Sequence, residues 1–459
     1  MTFTSSEVVE FPLDEVWRWF ASPGAMTRLT PPFMGMRVVK EAENVRDGVA
    51  VLRPALPSPA PDLAVLPKWV AAHDPGAYVE HHRFMDRTVS APYRQLTGWV
   101  HDHRFEEAEG HTRIVDRVTS RVPDAVLAPM FTFRANRLRG DLAALGRARL
   151  ITGERRLTIA MTGSSGLIGT QLRAWLTTAG HRVIRLVRSL PQGDDERRWD
   201  PADPAPDLLE DVDVLVHLAG SSIAGRFTDA HKRKLRGSRV EPTKRLAELV
   251  RDRAGSTVMV SSSAIGYYGA DRGDEVLDES APPGTDFLAR VVQEWEEACY
   301  PARDVARVVN IRTGVALSTA GGMLGMLHPL FRMGLGGRIG DGHQWLAWVA
   351  LDDLVDIYVR AILDENMSGP VNAVAPQVVR NSDFTRIMGE VLHRPTPLPV
   401  PGVAPTILLG KEGNDSLAAA DQRVVPRALE ARHHHFRYPH LADALRHELG
   451  REHRSSSSG

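Results

Sequence analysis

Residues 157–169 read LTIAMTGSSGLIG, a short apolar strand that leads directly into three glycines spaced three apart. Gly163 allows a tight turn, Gly166 lets the backbone approach a pyrophosphate, and Gly169 lets the following helix pack closely on the strand. The N-terminus of that helix presents free N–H groups to the anion. The stretch therefore predicts a dinucleotide-binding turn, formed by Gly163, Ser164, Ser165, Gly166, Leu167, Ile168 and Gly169.

The sequence around this turn supplies the context that a three-glycine pattern needs. Residues 157–161 predict a strand, residues 167–179 a helix with one apolar face, and residues 182–187 (RVIRLV) a second strand. A glycine-rich turn that binds nothing is the alternative, and it fits this strand–turn–helix–strand order less well.

Arg188 follows the second strand, nineteen residues beyond Gly169. An acid at about this distance hydrogen-bonds the ribose 2′-hydroxyl of NAD, whereas an arginine favours the 2′-phosphate of NADP through a charge-assisted contact. We therefore predict NADP (NADPH) as the cofactor. The alternative is an exposed arginine without a ligand, and Asp194 and Asp195 come too late in the chain to serve as the usual acid.

Length and composition limit the class of protein. The 459 residues predict two or three domains at about 150 residues each. A formal net charge of −1 disfavours nucleic acid or an anionic membrane as a partner. Cys299 is the single cysteine, which excludes an intrachain disulfide, and no apolar run of about eighteen residues occurs. We expect a cytoplasmic protein that acts on a small molecule, with its oligomeric state left open.

Residues 1–150 show strand-like alternation and no glycine fingerprint. They predict a strand at 3–9, a helix at 12–20, a hairpin of strands 97–106 and 112–122, and a long helix at 126–145. This order, with the phrase PLDEVWRWF near the start, resembles the helix-grip fold of the START-like superfamily, also called SRPBCC or polyketide cyclase/dehydrase-like. The resemblance implies an apolar ligand cavity between sheet and helix. The alternative is a plain α+β domain whose apolar residues fill its core.

The proline-rich segment 54–67 (PALPSPAPDLAVLP) excludes a central strand and predicts an ordered loop or flap.

From residue 157 onward, strands alternate with helices, which predicts a doubly wound parallel sheet of Rossmann type. Further strands are predicted at 212–218, 257–261 and 306–311. In chain order, the sequence predicts a START-like domain at 1–150, a linker at 151–156 and an NADP-binding α/β domain at 157–380. A C-terminal extension at 381–453, which completes the substrate side, and a disordered tail at 454–459 are predicted to follow.

Three motifs of this second part resemble the extended short-chain dehydrogenase/reductase family: GSSGLIG at 163–169, HLAG at 217–220 and SSSAIGYYG at 261–269. Within that family the chain looks most like the "epimerase family" (SulA-like) branch, through RTGVAL at 312–317, GLGGRIGDGHQWLAWV at 334–349 and HRPTPLPVP at 393–401. The branch carries a C-terminal extension of unknown function. The resemblance implies further cofactor contacts at His217, Leu218, Ala219, Gly220 and Ser261.

The family's usual proton-transfer pair is missing. In the family a tyrosine four residues before a lysine acts as general acid/base, yet none of the seven tyrosines here has a lysine at that distance. We name as catalytic candidates Ser262, Ser263, Tyr267 and Tyr268. The alternative is that the tyrosines only line the pocket.

The remaining polar motifs suggest substrate contacts and a helix cap, and they do not suggest a metal site. The glycine-rich segment 334–342 and its neighbours suggest substrate contacts at Arg338, Gln344 and Trp345, although Trp345 or Trp348 is expected to pack in the core. We expect Asp352 and Asp353 to cap a helix. No metal site is predicted, because the adjacent histidines 433–435 point in different directions.

These inferences combine into two functional hypotheses. The first is an NADP-dependent oxidoreductase or epimerase-like enzyme acting on a small polar substrate, with a nucleotide sugar as one candidate. The second is a non-catalytic NADP(H)-binding sensor or regulatory protein whose N-terminal module binds an apolar ligand.

Overall fold

The computed structural model describes residues 1–55, 66–253, 257–396, 399 and 410–452. Most of the predicted proline-rich loop and all of the predicted tail lie outside the described residues. Within the described part of the chain, no helix combines the length and apolar character that crossing a bilayer would require.

The N-terminal part is a seven-stranded antiparallel sheet with one long helix. The strands are β1 (Thr2–Val9), β2 (Met36–Lys40), β3 (Val49–Pro54), β4 (Trp69–His73), β5 (Arg83–Thr88), β6 (Val100–Ala108) and β7 (His111–Thr119). The helices are α1 (Leu13–Ala21), α2 (Ala25–Leu29), α3 (Tyr93–Thr97) and α4 (Asp124–Thr152). The sheet order is β1-β7-β6-β5-β4-β3-β2. The predicted first strand, first helix and hairpin are confirmed.

Local sequence explains these elements. Val16, Trp17 and Phe20 form the buried stripe of α1. Glu109 and Gly110 both adopt positive φ in the β6–β7 turn, as a two-residue hairpin loop requires.

The long helix α4 ends at Thr152, seven residues later than predicted. Its last turns are held because Ala144 and Ala148 pack into the core of the second sheet. The connection between the two parts is therefore shorter than the predicted linker at 151–156.

The second part is a doubly wound parallel sheet, which confirms the predicted fold class. Its strands are β8 (Thr158–Thr162), β9 (Arg182–Val187), β10 (Glu196–Arg198), β11 (Val214–His217), β12 (Val258–Ala264), β14 (Val308–Thr313) and β18 (Gly369–Ala373), in the order β10-β9-β8-β11-β12-β14-β18. The helices are α5 (Leu167–Thr178), α6 (Asp229–Gly237), α7 (Val240–Asp252), α8 (Phe287–Glu297), α9 (Tyr300–Arg303), α10 (Gly322–Arg332) and α11 (Leu351–Leu363). Because β8 lies between β9 and β11, ligands are expected outside the carboxyl ends of these strands.

Three two-stranded sheets accompany this core, and the first of them joins it to the C-terminal extension through β20. They pair β13 (Asp271–Leu277) with β20 (Asp421–Val424), β15 (Val315–Leu317) with β17 (Trp348–Ala350), and β16 (Trp345–Leu346) with β19 (Val379–Arg380). The extension's helices are α12 (Asn381–Leu392), α13 (Arg427–Glu430) and α14 (Leu441–Glu448). The extension therefore folds as part of the second unit.

A buried set of charges, here called the interface network, joins the two parts and the extension. Arg28 of α2 is fully buried and donates to Asp141 of α4 at 2.6 and 2.7 Å and to Asp352 of α11 at 2.9 Å. Arg437 donates to Asp141 at 2.8 Å and to Asp356 at 2.7 Å. The members of the interface network are Arg28, Arg137, Asp141, Asp352, Asp353, Asp356, Arg437 and His447.

This network corrects the expectation that Asp352 and Asp353 cap a helix. The residue before α11 is Ala350, and both aspartates lie in the first turn, buried. Asp352 accepts from Arg28 and lies 2.7 Å from Nε of Arg137, while Asp353 accepts the backbone N–H groups of Arg437 and Tyr438. The carboxylates of Asp352 and Asp353 therefore bind groups from other elements and do not cap α11.

We predict that Arg28→Met lowers the free energy of unfolding by about 3–5 kcal/mol, because it leaves buried carboxylates without their partner. Chemical denaturation of the full chain measures this. Arg245→Met is the matched control, since Arg245 pairs with Glu241 and Glu248 on an exposed helix face and should change stability by less than about 1 kcal/mol. Equal effects of the two substitutions would contradict the role of the network.

We also predict a loss of stability at alkaline pH through His447. Burial opposes its charge, but Glu452 and Asp352 outweigh burial and raise the pKa of His447 to about 9. The pKa of His447 in the folded protein lies above the ordinary value of 6.5. The stabilisation of the folded state by protonated His447 is therefore complete below pH 6.5 and is lost as the pH rises towards 9. We expect a fall of up to about 3 kcal/mol over that range in denaturation experiments, and a shallower fall in His447→Gln. An equal fall in both proteins would contradict this assignment.

Candidate functional site

The predicted glycine turn has the close packing that its sequence requires. Gly163 adopts φ 67°, and a Cβ there would lie 2.8 Å from the carbonyl carbon of Leu218. A Cβ on Gly169 would overlap the carbonyl oxygen of Gly163. The N–H of Gly166 donates to that same oxygen at 3.0 Å, and α5 begins at the next residue. The backbone at Gly163 and Gly169 thus accepts only glycine, and both residues lie beside the N-terminus of α5, as a pyrophosphate cradle needs.

The HLAG segment is held against this cradle by Thr162. Its hydroxyl accepts the N–H groups of Leu218 and Ala219 at 3.1 and 3.2 Å and lies 2.7 Å from Nδ1 of His217. Burial lowers the pKa of His217 to about 4, so the ring is neutral at physiological pH. His217 therefore positions the loop from inside the core, while Leu218, Ala219 and Gly220 follow at the end of β11.

Arg188 is exposed immediately after β9, at the carboxyl edge of the sheet. The acid that might have competed for the ribose is occupied elsewhere, because Asp195 pairs with Arg185 at 3.1 Å. Arg188 is thus the charged residue that directly follows β9 at the ligand-binding edge.

Of the hydroxyl candidates at the end of β12, Ser262 is half-buried and Ser261 is fully buried. The hydroxyl of Ser262 lies 2.8 Å from that of Tyr358 on α11. Burial raises the pKa of Tyr358 to about 12, so this phenol keeps its proton. Tyr358 was missed by the sequence interpretation because it lies 96 residues from Ser262 in the chain.

Ser263 and Tyr268 belong to a buried polar cluster that comprises Ser263, Tyr268, Glu296, Arg312 and Asn372. Arg312 binds Glu296 through two hydrogen bonds of 2.8 Å, and Ser263 donates to the same carboxylate at 2.6 Å. The phenol of Tyr268 donates to Asn372 at 2.7 Å and accepts from Arg312 at 3.0 Å.

This cluster narrows the catalytic set. Tyr268 has no exposed surface, and burial raises its pKa to about 12 despite the contact with Arg312. Ser263 is 4% exposed and directed at Glu296. Both hydroxyls are engaged in the core, which corrects their expected catalytic role and leaves Ser262 and Tyr267.

Tyr267 occupies the turn between β12 and β13 and is half-buried. The guanidinium carbon of Arg312 lies 3.5 Å from the centroid of its ring. The sequence had shown no cation beside this tyrosine, and the structure supplies Arg312, from 45 residues further along the chain, as a cation–π partner of its ring.

The three predicted substrate contacts have different surroundings. Arg338 is exposed. Gln344 donates to the carbonyl of Ile339 at 3.2 Å, and the indole N–H of Trp345 donates to Asp274 at 2.7 Å. The Trp345 ring also lies between Arg380 and Arg423, at 4.2 and 5.0 Å. Gln344 and Trp345 therefore hold the β16 region in place.

Trp348 is fully buried. This confirms the expectation that one of the two tryptophans packs in the core.

The three adjacent histidines 433–435 differ in their surroundings. His433 and His435 are exposed, whereas burial and the charge of Arg360 lower the pKa of His434 to about 3. The structure instead brings Asp86, His101 and His103 together, a set that the sequence analysis did not consider. The pattern His-x-His within a strand was the available signal, because alternate residues share one face.

The chain matches two families in succession. Residues 159–373 match the NAD dependent epimerase/dehydratase family, and residues 400–448 match a domain of unknown function, DUF1731. The first match contains the glycine cradle, Ser262 and Tyr267.

Individual relatives extend the match. An epimerase family protein of Mycobacterium bovis is 44% identical over 291 residues, which are 62% of this chain and 96% of that protein. The crystal structure of a nucleoside-diphosphate sugar epimerase from Corynebacterium glutamicum is 45% identical, with a TM-score of 0.85 over 98% of this chain and 90% of that one. Human epimerase family protein SDR39U1, crystallised with NADPH, is 30% identical, with a TM-score of 0.59 over 64% of this chain and 99% of that one. The chain therefore belongs to the epimerase family, with an NAD dependent epimerase/dehydratase domain followed by the DUF1731 segment.

Proposed function

We propose that this protein is an NADP(H)-dependent oxidoreductase or epimerase-like enzyme that acts on a small polar substrate of the nucleoside-diphosphate sugar class. The observation that carries the proposal is the glycine-only cradle at Gly163–Gly169 with an exposed Arg188 at the same edge of the sheet. Two relatives support it: the human protein was crystallised with NADPH, and the Corynebacterium protein is described as a nucleoside-diphosphate sugar epimerase.

The residues present fit such a cofactor. A Cβ on Gly163 or Gly169 would collide with neighbouring backbone, so glycine at both positions keeps the turn tight, and α5 directs its N-terminal N–H groups at the pyrophosphate position. Arg188 offers a planar cation for the 2′-phosphate. When bound, NADP(H) supplies or accepts a hydride at its nicotinamide ring.

Ser262 and Tyr358 determine how a substrate oxygen is held. Because Tyr358 keeps its proton, it is able to donate to the hydroxyl of Ser262. In the proposed enzyme it does so when substrate binds, which leaves the proton of Ser262 free for a substrate carbonyl or hydroxyl. Tyr267 adds a second phenol at the turn that follows β12. In the proposed enzyme the hydroxyls of Ser262 and Tyr267 polarise and orient the substrate.

The N-terminal part is proposed to be a START-like helix-grip module that binds an apolar ligand. Its antiparallel sheet and α4 border a cavity of about 260 Å³. Apolar side chains form most of its lining, among them Phe20, Met26, Leu29, Leu52, Trp69 and Trp99.

A non-catalytic NADP(H) sensor is the second candidate function. It is favoured by the missing tyrosine–lysine pair and by Tyr268, which is buried with its proton retained. The two candidates share cofactor binding and differ in turnover.

We predict that Arg188→Asp weakens NADPH binding by about 10- to 100-fold and leaves NADH binding unchanged or tighter, because a charge-assisted contact to the 2′-phosphate becomes repulsive. Fluorescence titration with both cofactors measures the ratio. Arg182→Asp is the control, since Arg182 is exposed at the opposite end of β9. An unchanged NADPH-to-NADH ratio in Arg188→Asp would sink the NADP assignment.

We predict that the chain transfers deuterium from [4-²H]NADPH to a carbonyl derived from a nucleoside-diphosphate sugar. Ser262→Ala and Tyr267→Phe should lower kcat by about 10²- to 10⁴-fold with little change in NADPH affinity, because they remove positioned hydroxyls. Tyr300→Phe, on an exposed tyrosine, is the control. Tight NADPH binding without any transfer across a panel of sugar nucleotides would favour the sensor.

A further inference from the structure

Three metal-binding side chains lie side by side on the inner face of the N-terminal sheet. Asp86 of β5 is the register partner of His101 of β6, and His103 lies two residues further on the same face. One donor atom from each side chain lies within 4.8 Å of the other two. His101 and His103 are each 4% exposed, so both imidazoles are shielded from bulk water.

The separations between these donors suit a shared cation better than a hydrogen bond. Oδ2 of Asp86 lies 3.7 Å from Nδ1 of His101 and 3.7 Å from Nε2 of His103. Both distances exceed hydrogen-bond length. Two ligands bound to one tetrahedral zinc ion at ordinary bond lengths are about 3.4 Å apart, which is close to the separation of Asp86 from each histidine.

Asp116 of β7 occupies the opposite side of both imidazoles. Its Oδ1 lies 2.9 Å from Nε2 of His101 and 2.7 Å from Nδ1 of His103, the two nitrogens that do not face Asp86. A carboxylate on the far nitrogen of a ligating histidine fixes the ring and raises its basicity. Of these two contacts only the one to His101 is a hydrogen bond, so Asp116 can orient the His101 ring as an outer carboxylate and lies in ionic contact with His103.

The same donors border the apolar cavity. Asp86, His101 and His103 belong to its wall, together with Trp99, Leu127 and Met130. Three protein ligands leave a coordination position, and here that position faces a space large enough for a small molecule.

We propose that Asp86, His101 and His103 bind a divalent first-row transition metal ion, with its open position directed into the N-terminal cavity. The ion takes as its additional ligand an oxygen donor of a small, mainly apolar molecule in that cavity. Asp116 is the positioning residue for the His101 imidazole. The site is independent of the proposed NADP chemistry and is tested without it.

The test is titration of the full chain, stripped with EDTA, with Co²⁺ as a spectroscopic probe. We expect visible d–d absorption that saturates at one Co²⁺ per chain and is displaced by Zn²⁺, which binds such ligands more tightly. The double variant His101→Gln/His103→Gln should lose this absorption. Asp116→Asn should weaken Co²⁺ binding by about 10- to 100-fold.

The matched control is His433→Gln/His435→Gln, which removes two exposed histidines from a site that we do not expect to bind metal. It should bind Co²⁺ like the parent chain. Zn²⁺ should also raise the Tm of the parent and control chains but not of the His101/His103 variant, whose fold is checked by circular dichroism. Should that variant fail to fold, Asp86→Asn takes its place.

Two results would overturn the proposal. One is an absence of saturable Co²⁺ or Zn²⁺ binding by the parent chain, which would leave a protonated histidine as the counter-charge of the carboxylates. The other is Co²⁺ absorption that persists in the folded His101/His103 or Asp86 variant.

Discussion

The buried charge contact between Arg28, Asp141 and Asp352 fixes how the parts of this protein are assembled. Arg28 comes from the N-terminal sheet domain, Asp141 from its long helix, and Asp352 from the dinucleotide-binding domain. Charges removed from water are expensive unless each meets a partner, so separating these elements would leave buried charges unpaired. Arg437 completes the set from the C-terminal extension and binds Asp141 as well. The extension thereby contributes to the joint between the other two parts.

This arrangement also reaches the candidate site. Arg28 donates to Gln171 at 2.8 Å, and Gln171 lies on α5, the helix that begins at the glycine cradle. Asp352 lies on α11, six residues before Tyr358, whose hydroxyl pairs with Ser262. One guanidinium therefore contacts both the helix that presents the pyrophosphate position and the helix that orients the hydroxyl donor. The N-terminal domain thus contains a separate cavity and also holds two helices of the second domain in place.

The sequence predicted the features that depend on neighbouring residues. The cradle, the parallel strands and the β6–β7 hairpin follow from local periodicity and from glycine at positive φ. Asp352 looked like a helix cap because its partner Arg28 lies 324 residues away, and charged side chains are usually expected to face water. Tyr268 looked catalytic for the same reason: its partners Arg312 and Asn372 are 44 and 104 residues distant. Long-range pairing of polar side chains is the information that periodicity does not contain.

The buried polar cluster explains how this site differs chemically from one with a tyrosine–lysine pair. A lysine lowers the pKa of a neighbouring phenol because its positive charge favours the phenolate. Arg312 cannot do this effectively for Tyr268, since its charge is neutralised by two hydrogen bonds to Glu296. Burial therefore prevails, and the Tyr268 phenol keeps its proton at neutral pH. Tyr358 keeps its proton as well and shares a hydrogen bond of 2.8 Å with the hydroxyl of Ser262. Neither Tyr268 nor Tyr358 is thus suited to removing a proton from a substrate oxygen at neutral pH.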